Sequence, residues 1–297
     1  MATASSPTVQ YGFAFGDDTG NQWLFGGAGQ GVQVLQVDGL EGLPNLRTQD
    51  TGRGYADGGF SGRDFLDSRS ITFTLQIMTD ANASMQTYLA ELQRYLMPQR
   101  SGLNVLQVFL PGGRGVRRIY GRVRRRQITV DPQYAYGRAV AMLEFFCPDP
   151  RFYSDLASVY TINSLSYTTR SYPRTYNLTY PTAATGASGN ATANNLGNYE
   201  TWPSFSVTST GSASNITLYN YTTNQFLNFP TLTLGTNDTL VIDTDLRTIL
   251  LNSNPSRNLL SIDSRWFSLP PGVPTTIGLQ TASGTANCTI TYRDAYI

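Results

Sequence analysis

Apolar and polar residues alternate from Ser70 to Met78, with Ile71, Phe73, Leu75 and Ile77 on one side and Ser70, Thr72, Thr74 and Gln76 on the other. A period of two predicts a half-buried strand. The period lengthens over 83–97, where Met85, Tyr88, Leu89, Leu92 and Leu96 form one stripe. That stripe predicts a core-facing helix, with Asn82 or Ser84 placed to cap it and Pro98 to stop it. Upstream, Tyr11, Phe13 and Phe15, then Trp23-Leu24-Phe25, then Val32 to Val37 read as short strands. Glycine-rich turns and the Asp17 to Asn21 segment join them. Downstream, Val105 to Leu110, a Pro111-Gly112-Gly113 turn and Arg117 to Val130 predict a hairpin. Ala139 to Phe146 is apolar at both alternating sets of positions except Glu144, which predicts a strand covered on both faces and the last of its domain. Pro148 and Pro150 end it, since neither donates a ladder hydrogen bond, and they predict a stiff interdomain hinge.

Beyond the hinge the pattern is of short strands separated by turns: Ser204–Thr208, Asn215–Tyr219, Gln225–Phe229, Thr239–Ile242, Arg247–Leu251, Trp266–Leu269, Thr276–Leu279 and Cys288–Tyr292. Without helices, such spacing predicts an antiparallel β-sandwich of jelly-roll type. Pro181 to Asn198 offers almost nothing to bury and predicts a mobile loop. In the first half, Leu43 to Asp64 has no apolar periodicity, and a loop of that length in a compact domain points to function or to order imposed by a partner. The expected domains are 1–153 and 154–297.

Charge changes this picture mainly by where it falls. The net charge is +1 with 14% charged residues, so the chain as a whole has no attraction to nucleic acid or anionic membrane. Histidine and lysine are both absent, and all 21 basic residues are arginine. Serine–histidine triads, cysteine–histidine dyads, histidine metal sites, P-loop lysines and Schiff-base lysines are excluded within the chain. Gly26 to Gly31 therefore does not read as a phosphate loop. The two cysteines, Cys147 and Cys288, are too few for a disulfide framework and predict reduced thiols made inside a cell. The opening Met1 to Pro7 has no basic segment followed by an apolar core and does not read as a signal peptide. No run is long enough for a membrane span. Asp238, Asp243 and Asp245 fit turns better than a calcium site, and the four glutamates at 41, 91, 144 and 200 supply no facing pair for a glycosidase.

One charged stretch stands out. Arg118, Arg122, Arg124 and Arg126 are expected to share a strand face with Tyr120, opposite Ile119, Gly121 and Val123. Such a stripe reads either as a contact with an acidic partner or a DNA passage, or as a solvated face that discourages edge-to-edge aggregation. In the second half, Trp202, Tyr219, Tyr221 and Trp266 are the aromatics able to stack on sugar rings, though aromatics in a sandwich usually serve its core.

Three stretches carry a resemblance. They are Gly42 to Arg47 with Gly62 to Leu75, then Phe146-Cys147-Pro148-Asp149-Pro150-Arg151-Phe152-Tyr153, then Asn198–Pro203, Asp238–Thr244, Arg265–Gly272 and Ile290–Tyr296. In this order they resemble the distal tail protein (Dit) family of long-tailed, non-contractile bacteriophages, called minor tail proteins in phages of actinobacteria. The resemblance implies a mainly β protein: an N-terminal β-barrel or sandwich-like ring domain with one α-helix, then a C-terminal galectin-like or jelly-roll β-sandwich. It implies a homohexameric ring joining the tail tube protein to tail-tip hub or tail-associated proteins, without catalysis or cofactor. DNA would pass only in transit through the lumen, receptor-binding proteins or host glycans are further partners, and no membrane insertion is implied. The location implied is the virion tail tip, after synthesis in the host cytoplasm. A carbohydrate-binding module or adhesin is the alternative from a different class.

Overall fold

The computed structural model describes residues 7, 11–17, 22–27, 31–79, 85–97, 102–167, 186–209 and 211–297. It divides into two compact units, 1–155 with Ile297, and 156–296.

In the first unit the antiparallel strands lie in the order Gln22–Gly26, Gly12–Gly16, Asn104–Phe109, Val116–Thr129, Arg138–Cys147, Arg69–Met78, Val32–Asp38. Val116–Thr129 is long enough to serve two neighbours. Its first half pairs with Asn104–Phe109 and its second with Arg138–Cys147. The sheet can therefore curl, and its outermost strands come together where Gly26 (φ +70°) leaves room. A Cβ there would stand 2.8 Å from the Tyr11 carbonyl oxygen and 3.1 Å from Val34 Cγ2. Inside are Phe13, Phe15, Phe25, Phe73 and Phe145, all at 1% exposure or less. Phe73 meets Phe13, Phe25 and Phe145 edge-on at centroid distances of 5.0–5.5 Å, geometry that adds to area burial. The helix Met85–Tyr95 buries Met85 and Leu92, with Leu96 just beyond its end. The positions named as its cap and stop, 82, 84 and 98, lie outside the described residues, as do 18–21 and 28–30.

Two expectations for the first half need correction. Arg138–Cys147 is not covered on both faces: Ala139, Ala141, Leu143, Phe145 and Cys147 are buried, but Val140 and Met142 are 37% and 39% exposed. Nor is it the last strand, because the chain turns at the prolines and Phe152–Ser154 pairs back onto Arg117 and Arg118.

The second unit stacks two antiparallel sheets. One has the order Ser158–Asn163, Ala286–Tyr292, Ser204–Ser209, Thr239–Asp243, Thr248–Leu251, Asn254–Pro255; the other Leu165–Tyr167, Gly186–Ala193, Thr275–Ser283, Ala213–Asn220, Gln225–Leu234. Between them sits one core, including Phe205, Phe229, Phe267, Ile216, Leu279 and Ile290. The architecture is thus mainly β with one α-helix among the described residues, as expected. Part of the loop expected over 181–198 is a strand: in Gly186–Ala193, Ala187 to Ala193 pair with Thr281 to Thr275, while 181–185 lie outside the described residues. Trp266–Leu269 is not a strand; only Leu269 bridges, to Thr201.

Candidate functional site

The arginine strand was expected to present one stripe, and a bulge breaks it. Arg122 opposes Phe146 and Val123 opposes Phe145, but the register then shifts so that Arg125 opposes Glu144 and Arg126 opposes Leu143. An extra residue at a bulge reverses the alternation beyond it. Arg126 thereby joins the side of Leu143, where its Nη1 stands 3.5 Å from the Gln93 carbonyl oxygen in the helix's last turn. A cation is favoured there.

The remaining arginines divide again. Arg118 is 6% exposed and committed internally: its Nη2 donates to Asp155 Oδ1 at 2.7 Å and its Nε at 3.1 Å. Gln107 Nε2 donates to the same oxygen at 2.7 Å. Arg122 and Arg124 face outward around one ring, with guanidinium carbons 5.9 and 3.4 Å from the Phe146 centroid. Arg125, which the stripe left out, is exposed on the same side, and its Nη2 donates to Gln127 Oε1 at 2.8 Å. The outward patch is therefore Arg122, Arg124 and Arg125 around Phe146, beside Val140 and Met142. Guanidinium planes over an aromatic face leave N–H edges free for an acceptor on a partner.

A second arginine is more tightly held. Arg69 is 4% exposed at the start of the Arg69–Met78 strand. Its Nη1 lies 2.8–2.9 Å from the carbonyl oxygens of Gly39, Leu40 and Gly42, its Nε donates to the Pro150 carbonyl at 3.2 Å, and its guanidinium lies over Phe152. Burial lowers its pKa, opposed by the neighbouring Cys147 and Glu41. Arg69 thus ties the root of the 43–66 segment to the turn at the prolines. Pro150 is buried and Pro148 exposed, both in the first unit. Asp149 braces that turn, its Oδ1 accepting from the Arg151 backbone N–H and Nε at 3.1 and 2.8 Å, its Oδ2 from Tyr153 at 2.6 Å.

In the second unit the four aromatics separate. Trp202 and Trp266 are half-buried, and Trp266 packs against the core. Tyr219 and Tyr221 lie together on the outer face of the five-stranded sheet, rings nearly parallel at 5.7 Å, with Phe226 5.6 Å from Tyr219. Tyr221 lies across Gly278, where any Cβ would meet its ring, and its hydroxyl accepts from Gln280 Nε2 at 3.0 Å. Phe226 also lines a cleft of about 580 Å³ with Gln225, Asp263 and Arg265. Sequence reasoning missed Phe226, Asp263 and Arg265, which only the fold brings together. The aspartates serve turns: Asp243 Oδ1 accepts from the Asp245 and Leu246 backbone, and Asp238 from Gly235 and Asn252. Among the described residues no cluster of histidine, cysteine, aspartate or glutamate could hold a metal.

Residues 196–296 match the family model for the C-terminal domain of a siphovirus-type tail component. The second unit thus contains a stretch similar to a siphovirus tail-component domain, and for that similarity it is called the tail-component domain below. Outside the tail-component domain the comparison is one of fold. The crystal structure of the Dit protein of phage SPP1, described as a paradigm of hub adsorption apparatus in phages infecting Gram-positive bacteria, superposes over 96% of this chain and 99% of its own. The TM-score is 0.62 at 17% identity. A chain of the phage P2 baseplate in its activated conformation with calcium matches over 94% of this chain and 97% of its own, with TM-score 0.50 at 9% identity. Its strontium counterpart gives 0.51 and 11% over the same shares. No curated protein sequence matches. The resemblance to the distal tail family read from the sequence is borne out: the tail-component domain matches by sequence, and the fold is shared along nearly the whole chain.

Proposed function

We propose that this chain is a structural hub of a long-tailed, non-contractile phage. In this reading it forms a homohexameric ring that joins the tail tube to tail-tip proteins and has no catalytic role. The single observation that carries it is a fold shared end to end with a phage hub protein, in a chain whose tail-component domain also matches by sequence. The outward arginines support it. Across the strand pair Arg122 faces Phe146 and Arg125 faces Glu144, the one carboxylate opposite the patch, and a protein neighbour supplying carboxylates would answer the remaining charge. Native mass measurement and negative-stain images of the purified protein should show rings. A strict monomer at every concentration, alone and with the tail tube protein, contradicts this reading.

The row Tyr219, Tyr221 and Phe226 beside a polar cleft favours a second reading, in which the outer sheet also binds a host cell-wall glycan. Flat aromatic faces flanked by amide and charged groups are what sugar rings stack on. Titration of the full chain with wall polysaccharide should give saturable binding that Tyr221→Ala removes. Identical heats for the variant and the unmodified chain overturn it.

A further inference from the structure

We infer that residues 43–66 form an arm that docks onto a second copy of this chain; the inference rests on the ring reading above and names the contact that holds the ring. The segment doubles back on itself. Leu46–Arg47 pairs with Phe65–Leu66, and Thr51–Gly52 with Gly59–Phe60. Between the two ladders Asp50 Oδ1 accepts from the Gly62 backbone at 2.8 Å, and near the tip the Arg53 N–H donates to the Gly58 carbonyl at 3.2 Å. The result is a two-stranded ribbon with no sheet or helix behind it among the described residues, and such ribbons are marginal in water on their own.

Along the ribbon only Pro44 is buried and only Leu66 half-buried. It exposes Leu43, Leu46, Phe60 and Phe65 at 40–67%, and Tyr55 fully at the tip. Yet the root is fixed, since Arg69 holds the carbonyls of Gly39, Leu40 and Gly42. An element rigid at its base and apolar at its end is pre-organised for a surface it does not find within its own fold.

The chemistry selects that surface. Arg47, Arg53 and Arg63 balance Asp50, Asp57 and Asp64, so the arm has no net charge to draw it to nucleic acid or an anionic bilayer. Its length of roughly two dozen residues matches one side of a standard protein interface of about 800 Å² per partner. A copy of this chain offers a complementary receiver, the outward patch of Val140, Met142 and Phe146 with Arg122 and Arg124. There Tyr55 and Phe60 find apolar neighbours and guanidinium planes, and Asp57 finds positive charge. Arm and receiver are different patches, which makes the contact heterologous, the kind that closes into rings.

A tip probe tests this in the full chain. Cys147 and Cys288 are fully buried, so Tyr55→Cys supplies the one accessible thiol among the described residues for a photo-crosslinker. With isotopically light and heavy chains mixed, mass spectrometry should find light-to-heavy cross-links from position 55. A second variant replaces 46–66 by a short glycine turn and should self-associate about tenfold more weakly or worse. Rings that persist without the arm, or tip cross-links confined to one molecule while rings form, overturn the arm and leave the ring reading standing. A chain that forms neither rings nor inter-copy cross-links overturns both.

Discussion

The two units solve the same packing problem to different degrees. In the tail-component domain both sheets close on one core, and buried hydroxyls such as those of Ser164 and Thr244 find partners nearby. Ser164, for example, donates to the Ala286 carbonyl and accepts from its N–H, and Thr244 donates to the Pro203 carbonyl at 2.6 Å. The first unit has an equally complete aromatic core but leaves its outside unfinished. Fifteen of the 21 arginines precede Ser154, one patch of them faces outward around Phe146, and a ribbon of about two dozen residues stands uncovered. A unit with its own core and spare apolar surface is one whose remaining burial comes from neighbours. Under the proposed ring reading, the difference would give assembly to the first unit and leave the second self-sufficient.

The largest way to break this comparison is at Arg69. Arg69→Ala strands four carbonyls and uncovers Phe152, a loss on the order of 3 kcal/mol or more in urea denaturation of the first unit. The second unit's transition should not move. Arg69→Lys should recover part of the loss, because one ammonium can reach some of the carbonyls but not stack as a guanidinium does.

A smaller effect lies at alkaline pH. Burial pushes the Cys147 and Cys288 thiols up from 9.0 to about 12. In the unfolded chain they ionise near 9, whereas folded they keep their protons. Folding therefore holds extra protons between these values, and stability is fully present below about 9 and falls as pH rises toward about 12. Urea midpoints measured across this window should decline, and Cys288→Ala should flatten the second unit's decline. At pH 8 a thiol reagent should label neither cysteine until the chain is unfolded.

The smallest effect on folding, and the sharpest on the comparison, comes from reversing Arg122 and Arg124 to Glu. Loss of their contacts with Phe146 should cost the fold less than about 1 kcal/mol. Ring formation or tube docking, read by native mass and negative stain, should weaken clearly. Unchanged assembly would make the patch a solvated face only.

How far the sequence spoke for itself follows from the same contrasts. Ser70–Met78 and the helix stripe were legible because one face is core and the other is water. Arg138–Cys147 misled because Val140 and Met142 are apolar yet outward, which alternation cannot distinguish from double burial. The arginine stripe misled because a single bulged residue near Arg124 changes side without changing composition. Gly186–Ala193 was invisible as a strand partly because two of its positions are held small: a Cβ on Gly189 would strike the Asn163 carbonyl oxygen, and Ala193 is fully buried. The Tyr219, Tyr221 and Phe226 row was half visible, since Phe226 joins it across a strand pair rather than along the chain.

Amide hydrogen exchange of the full chain, assembled and dissociated, tests the division between the units most directly. The account predicts slowed exchange on assembly across 43–66 and around Arg122 to Arg125, with the strands of the tail-component domain unchanged. Equal exchange in the arm in both states, or protection confined to the second unit, would contradict it.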